Sequence, residues 1–257
     1  MIITIAQIEV FMLILARISG IFITSPLLKL RYIPSGVKMA LIFWMAMVLW
    51  FVVPLSYPLP VTTLEFTIAL TIETLIGALI GFVCDIIFTA ITAAGDIMEH
   101  QMGLISQTLD PLTGSHSGIM GQVAFIIGAF VFLSIDGHHL IFSALNQSFH
   151  ALPLGMPINL TSGKLAFQLI ELGKNLWLIS IQLSAPVVLL IFLSDFAFGI
   201  VSRVAPQVNV FMLGFQVKPS LGLLTFIFCM PLLTRHIVNL IGNMLPEIVN
   251  LFANLKM

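Results

Sequence analysis

TTLEFTIALTIETLIGALIGFVCDIIFTAITAAGDIMEH, residues 62–100, is an apolar run of nearly forty residues with Glu73, Asp85 and Asp96 set inside it. A helix crossing about 30 Å of hydrocarbon needs only about 20 residues at 1.5 Å each, whereas this one would extend roughly 57 Å. Tilt alone does not absorb that excess. Either the segment bends back on itself, or it projects beyond a bilayer. The same arithmetic applies to two later runs, and about six helical segments are predicted in all, at roughly 3–28, 37–58, 62–100, 121–151, 161–203 and 207–254.

Composition places these helices in lipid. Of 257 residues, 59% are hydrophobic and 8% charged, with a mean hydropathy of +1.13. A soluble domain carries about a quarter charged residues, so this chain cannot coat a water-exposed globule of its size. The class is an all-α integral membrane protein. The formal net charge is −1 and there is no basic patch, which removes nucleic acid as a partner. Cys84 and Cys229 are isolated in apolar segments and read as small buried hydrophobes. The N-terminal MIITIAQIEVFMLILARISG has no basic leader and no A-x-A site, so an uncleaved first helix is expected.

Charges and breakers refine the picture. Glu9, Arg17, Glu73, Asp85, Asp96, Glu99, Asp136, Glu171, Lys174, Asp195 and Arg235 fall inside or near the ends of apolar segments. At a bilayer centre each would cost between ~3 and over 10 kcal/mol, so they should face protein or water. Lys29, Arg31, Lys38, Arg203 and Lys218 favour one membrane side, against Lys164 and Lys174 on the other. Prolines 26 and 34 bracket the first connection, prolines 54, 58 and 60 mark the second, and prolines 153 and 157 the fourth, with Thr161 or Ser162 as the next N-cap. Pro186 and Pro231 predict kinks near Ser184–Ala185 and Cys229–Met230. Gly77 and Gly81 form a G-x-x-x-G, which lets another helix approach, either from within the chain or from another subunit.

Little of this points to catalysis. DGHH, 136–139, groups an acid with two imidazoles, but adjacent helical residues point about 100° apart, so a helix-end polar cluster is expected rather than a metal site. There is no H-E-x-x-H, no P-loop and no G-x-S-x-G, and neither an enzyme nor a cofactor is expected. The unusual stretch is QMGLISQTLDPLTGSHSGIMGQ, 101–122, which has no lysine or arginine and lies between two highly apolar runs. Glycines 103, 114, 118 and 121 suggest backbone freedom, and Asp110-Pro111 a local turn. Met98, Met102 and Met120 flank it with soft side chains suited to a deformable seal, or to ordinary gap filling. From the residues alone the stretch could be an active site, a tolerated loop or a moving part.

Three stretches together carry a family resemblance. They are ARISGIFITSPLLKLRYIPSGVKMAL (16–41), with R-x-S-G, R-x-I-P and V-K-x-x-L spacing; GDIMEHQMGLISQTLDPLTGSHSGIMGQ (95–122) joined to LSIDGHHLIFSAL and FHALPLG; and RVAPQVNVFMLGFQVKPSLGL (203–223). In this order they resemble the FliR family, export-gate subunits of bacterial flagellar type III secretion, whose virulence homologues are the SctT proteins. The resemblance implies a FliP-like part, 1–155, fused to a FliQ-like long helical hairpin, 156–257. It implies one copy of this chain assembled with several copies of FliP and of FliQ, near the FlhB export protein. The assembly would sit in the bacterial inner membrane at the flagellar basal body, with its helices raised toward the periplasm.

The resemblance also assigns residues. The 101–122 stretch becomes a loop that plugs the pore through which unfolded flagellar proteins pass, involving Met102, Gly103, Leu104, Asp110, Pro111, Gly114, Gly118, Met120 and Gly121. Gln207, Asn209 and Lys218 match the turn of FliQ and, with Gly77 and Gly81, are candidates for subunit packing. A virulence-type counterpart is one alternative. Another, of a different class, is a secondary transporter or ion channel with Asp85, Asp96 and Asp136 as a relay, although no internal repeat supports it.

Overall fold

A computed structural model describes residues 5–26, 33–53, 62–104, 107–109, 116–155 and 163–255. The predicted connections at Lys29, Arg31, Pro54, Pro58, Pro60, Pro157, Thr161 and Ser162 lie outside the described residues. The helices are α1 (Ile5–Thr24), α2 (Ser35–Trp50), α3 (Thr63–Met102), α4 (Ile119–Ser134), α5 (Gly137–Ala151), α6 (Gly163–Val204), α7 (Val210–Gly242) and α8 (Met244–Leu255). A short hairpin, β1 (Gln107–Leu109) with β2 (His116–Gly118), stands between α3 and α4. The protein is an all-α membrane protein. Among the described residues, four helices are long and apolar enough to cross a bilayer.

Helix ends follow from local chemistry. Thr62 and Glu65 form a reciprocal capping box at the start of α3: the Glu65 N–H donates to Thr62 Oγ1 at 3.3 Å and the Thr62 N–H to Glu65 Oε2 at 3.2 Å. At its other end Gly103 turns left-handed, with φ 75°. The Gly103 N–H bonds the His100 carbonyl and the Leu104 N–H the Glu99 carbonyl, each at 3.2 Å. This Schellman arrangement satisfies carbonyls that the helix end would orphan. The forty-residue run is therefore one helix, neither bent back nor broken.

Two predicted segments divide. The run at 121–151 breaks at Ile135 and Asp136, where Asp136 adopts φ 56°, and becomes α4 and α5. The run at 207–254 breaks at Asn243, because α8 turns a strongly apolar face, Met244, Ile248, Leu251 and Phe252, toward α5. By contrast α6 runs unbroken through Pro186, and α7 through Pro219 and Pro231.

The chain packs as two compact units. The first comprises Met1–Ile86, Asp136–Gly173 and Ile241–Met257; the second comprises Ile87–Ile135 and Lys174–Leu240. In the first unit, α1 buries Val10, Leu13, Ile14, Arg17, Ile18 and Ile21, a stripe at helical spacing. Added Cβ atoms would meet the Thr74 carbonyl 2.2 Å from Gly20 and the Arg17 carbonyl 1.8 Å from Gly77. A Cβ on Gly81 would stand 2.1 Å from Thr24 Oγ1. The G-x-x-x-G face of α3 is thus occupied by this chain's own α1, rather than left open to another subunit. Thr24 Oγ1 bridges the two helices, donating to the carbonyls of Gly20 (3.0 Å) and Ala78 (3.1 Å).

Arg17 sits at the centre of this unit with no solvent exposure. Its Nε donates to Glu73 Oε2 at 2.5 Å, one terminal nitrogen to Ser148 Oγ at 3.1 Å and the other to the Leu152 carbonyl at 2.9 Å. The guanidinium lies 4.3 Å over the ring of Phe149. In the second unit Phe88 stacks edge-on or tilted against Phe125 and Phe132, and Ser180 Oγ donates to the Ala90 carbonyl at 3.0 Å.

Removing one member of a buried ion pair strands the other. Arg17→Met should destabilise the detergent-solubilised chain by about 3–5 kcal/mol, and Arg17→Met with Glu73→Met should recover most of that loss. Thermal unfolding of both variants checks this. An equal loss in the double variant would show that the stranded carboxylate is not the source of the cost.

Candidate functional site

The end of α3 carries two carboxylates three residues apart, Asp96 and Glu99, on one helical face. Immediately after them the chain leaves the helix, forms the β1–β2 hairpin and re-enters a helix at α4. Backbone N–H groups at a helix start have no partner within the helix, and α4 draws its partners from those carboxylates. Asp96 Oδ1 accepts the Gly118 N–H at 2.9 Å, and Glu99 Oε2 accepts the Met120 N–H at 2.8 Å. Glu99 is 3% exposed. The negative pair also lies where the positive end of the α4 dipole favours it.

This clamp explains three glycines. A Cβ on Gly118 would stand 2.2 Å from Glu99 Oε2, one on Gly121 2.2 Å from Asp96 Oδ1, and one on Gly95 2.4 Å from the Met120 carbonyl. Gly118 has φ −69° and ψ 166°, open to any residue. Gly118 and Gly121 therefore serve close approach, not the backbone freedom expected of them. Only Gly103 of the described loop glycines needs a left-handed conformation.

Within the hairpin Gln107 pairs with Gly118, Thr108 with Ser117, and Leu109 with His116. The stretch expected to be an irregular loop thus carries an antiparallel ladder at its base. Asp110, Pro111 and Gly114 lie outside the described residues, and Leu104 is half-buried at the loop's start. Ser117 is buried, with its hydroxyl unpaired among the described residues.

The methionines fill gaps. Met98, Met102 and Met120 are each no more than 4% exposed. Met102 presses on Gly222 of α7, where a Cβ would meet its Cγ at 2.5 Å and its Cε at 2.6 Å. Beside Met102 and Gly103 opens a cleft of about 380 Å³, walled by α6 and α7 residues including Phe198 and Phe215. Lys218 Nζ and Asp195 Oδ1 pair across its wall at 2.5 Å.

The other predicted residues have local duties. Asn209 caps α7, accepting the Met212 N–H on Oδ1 at 3.2 Å. Gln207 is exposed in the turn before it. Of the three aspartates considered as a relay, Asp96 is engaged by Gly118, Asp85 is half-buried on α3, and Asp136 stands exposed at the start of α5. Glu99 was assigned no role from sequence, and Asp96 only that of a relay member in the transporter alternative. The available signal was their i, i+3 spacing just before a glycine-bearing re-entry into helix.

The model of the family described as bacterial export proteins, family 1, matches residues 8–244. The chain belongs to that family. This export protein is 29% identical over 245 residues to the flagellar biosynthetic protein FliR of Bacillus subtilis (strain 168), covering 95% of its own length and 94% of the relative's. It is 31% identical over 245 residues to FliR of Escherichia coli (strain K12), covering 92% and 91%. The acidic clamp of this export protein is therefore part of a chain related along nearly its whole length to flagellar proteins.

Replacing Glu99 by alanine would leave the Met120 N–H buried without an acceptor, a cost of about 1–3 kcal/mol. Hydrogen exchange in peptides spanning 116–122 should then quicken by about tenfold or more, with α6 and α7 unchanged. Unchanged exchange at 116–122 would show that the carboxylate does not hold the loop's base.

Proposed function

We propose that this membrane-embedded component of a flagellar export apparatus helps form and seal the pore through which unfolded flagellar proteins pass, without enzymatic activity. The observation that carries the reading is the loop's mode of attachment. Residues between α3 and α4 are tied at their base by two carboxylate contacts and a three-pair ladder. A seal of this build can leave its seat without unwinding a helix. Displacing it need offset only a few kcal/mol, the scale on which a passing chain can shift two states.

A second observation supports assembly with other membrane proteins. The most apolar windows of α6 and of the α7–α8 run are only 28% and 22% buried within the chain, against 61% for α3. Phe192, Phe196 and Phe228 stand at 65%, 65% and 81% exposure. Surfaces so large and apolar require lipid or protein cover. In this reading α6 and α7 belong to the FliQ-like part, 156–257, and the remainder, 1–155, to the FliP-like part. Several copies of FliP and FliQ, with FlhB nearby, complete a gate in the bacterial inner membrane, its helices raised toward the periplasm.

Two measurements test the proposal. Native mass spectrometry of the chain co-expressed with FliP and FliQ should show one copy of it in a hetero-oligomer; a stable monomer or homodimer that ignores them would overturn the assembly. In that assembly, deleting residues 104–119 should make the membrane leak small ions. A tight membrane after the deletion would overturn the seal.

A further inference from the structure

Asp136, His138 and His139 stand at the break between α4 and α5, and one ligand atom from each, an imidazole nitrogen or a carboxylate oxygen, lies within 4.8 Å of the other two. The 100° step between adjacent helical residues was expected to keep the two imidazoles apart. It does not: their ring centroids are 4.3 Å apart, at 62°. Both residues are in the first turn of α5, where no preceding turn crowds their side chains, so the rings can converge.

Two features distinguish this cluster from an ordinary helix end. Aspartate at an N-cap normally spends its carboxylate on the helix's free N–H groups, yet Asp136 makes no side-chain cap bond. It is the one non-glycine residue with positive φ among those described, at 56°. Glycine adopts that conformation freely. Among residues with side chains, Asn and Asp tolerate it best, and of these only aspartate brings a charged ligand. The second feature is His138 Nδ1, which is buried and has no hydrogen-bond partner among the described residues. No competing bond claims its lone pair.

We propose that Asp136, His138 and His139 bind a transition-metal ion of the imidazole-preferring class, Zn²⁺ being the representative. Two imidazoles and one carboxylate match that class, whereas Mg²⁺ and Ca²⁺ take oxygen ligands. The positive end of the α5 dipole disfavours a cation held by charge alone, so nitrogen coordination must carry the binding. A tetrahedral ion with bonds of about 2.0 Å places its ligand atoms about 3.3 Å apart. Rotation of the exposed Asp136 and His139 side chains closes the remaining distance. A three-residue set leaves a coordination position for water, and the bound ion pins the first turn of α5.

The test is titration of the full detergent-solubilised chain, its affinity tag removed, with Co²⁺ as a spectroscopic stand-in. One equivalent should bind with visible absorption, be displaced by Zn²⁺, and be unaffected by Ca²⁺ or Mg²⁺. Loss of outer-shell partners alone weakens metal sites by 10–100-fold, so Asp136→Gly should weaken binding by at least about tenfold. So should His138→Gln with His139→Gln. Asp136→Gly suits the left-handed conformation and keeps the fold, so it decides the matter should the histidine variant misfold. His100→Gln and His236→Gln should bind normally. Absence of saturable Co²⁺ binding, or binding that survives Asp136→Gly unchanged, would overturn the proposal. So would a site abolished by His100→Gln or His236→Gln.

Discussion

A guanidinium removed from water must have its donors answered, and Arg17 meets that demand with groups from widely separated parts of the sequence. Glu73 comes from α3, Ser148 and the Phe149 ring from α5, and the Leu152 carbonyl from the residue that ends α5. Buried ion pairs are weak sources of net stability, because desolvation offsets much of the attraction. What the pair does is specify. Apolar faces of α1, α3 and α5 could slide past one another with small loss, but a charge can be satisfied in few registers. The glycines at 20, 77 and 81 complete the constraint, letting α1 approach α3 to backbone contact so that Arg17 reaches Glu73.

The second unit solves a related problem by the same means. There the exposed groups are the first N–H groups of α4, and the answering charges are Asp96 and Glu99 one helix earlier. Small residues again set the distance: Gly95, Gly118 and Gly121 leave room for carboxylates that any Cβ would displace. A connection held by a handful of polar contacts at one end is easier to release than one buried in a core. That property links the local chemistry to the proposed seal. The uncovered apolar faces of α6 and α7, which need lipid or protein cover, complete the connection to the proposed assembly.

Much of this was legible in advance because hydrophobicity and helix length are properties of the chain itself. The long helix over Thr63–Met102 and the connections at Pro34 and near Pro206 follow from composition and helix arithmetic. Less legible were the breaks. Residues 121–151 read as one apolar run, yet the left-handed Asp136 divides it; residues 207–254 divide at Asn243 because α8 has a face that α5 buries. The glycines at 118 and 121 looked like sources of flexibility and are sites of close contact. Met98, Met102 and Met120 suited either a deformable seal or ordinary gap filling, and their burial fits the second.

Sequence alone determined that the chain is helical, that it belongs in a membrane, and that its charged residues need partners. Those conclusions rest on local quantities: residue polarity, rise per residue and the cost of a charge in hydrocarbon. Tertiary structure alone decided which partner each charge found. Arg17 and Ser148 are 131 positions apart, and Gly118 meets Asp96 across 22. Neither spacing has a periodicity that a sequence pattern can display. The convergence of His138 and His139 was hidden for a different reason, because the helical step fixes where backbones point while side-chain rotation decides where ring nitrogens end.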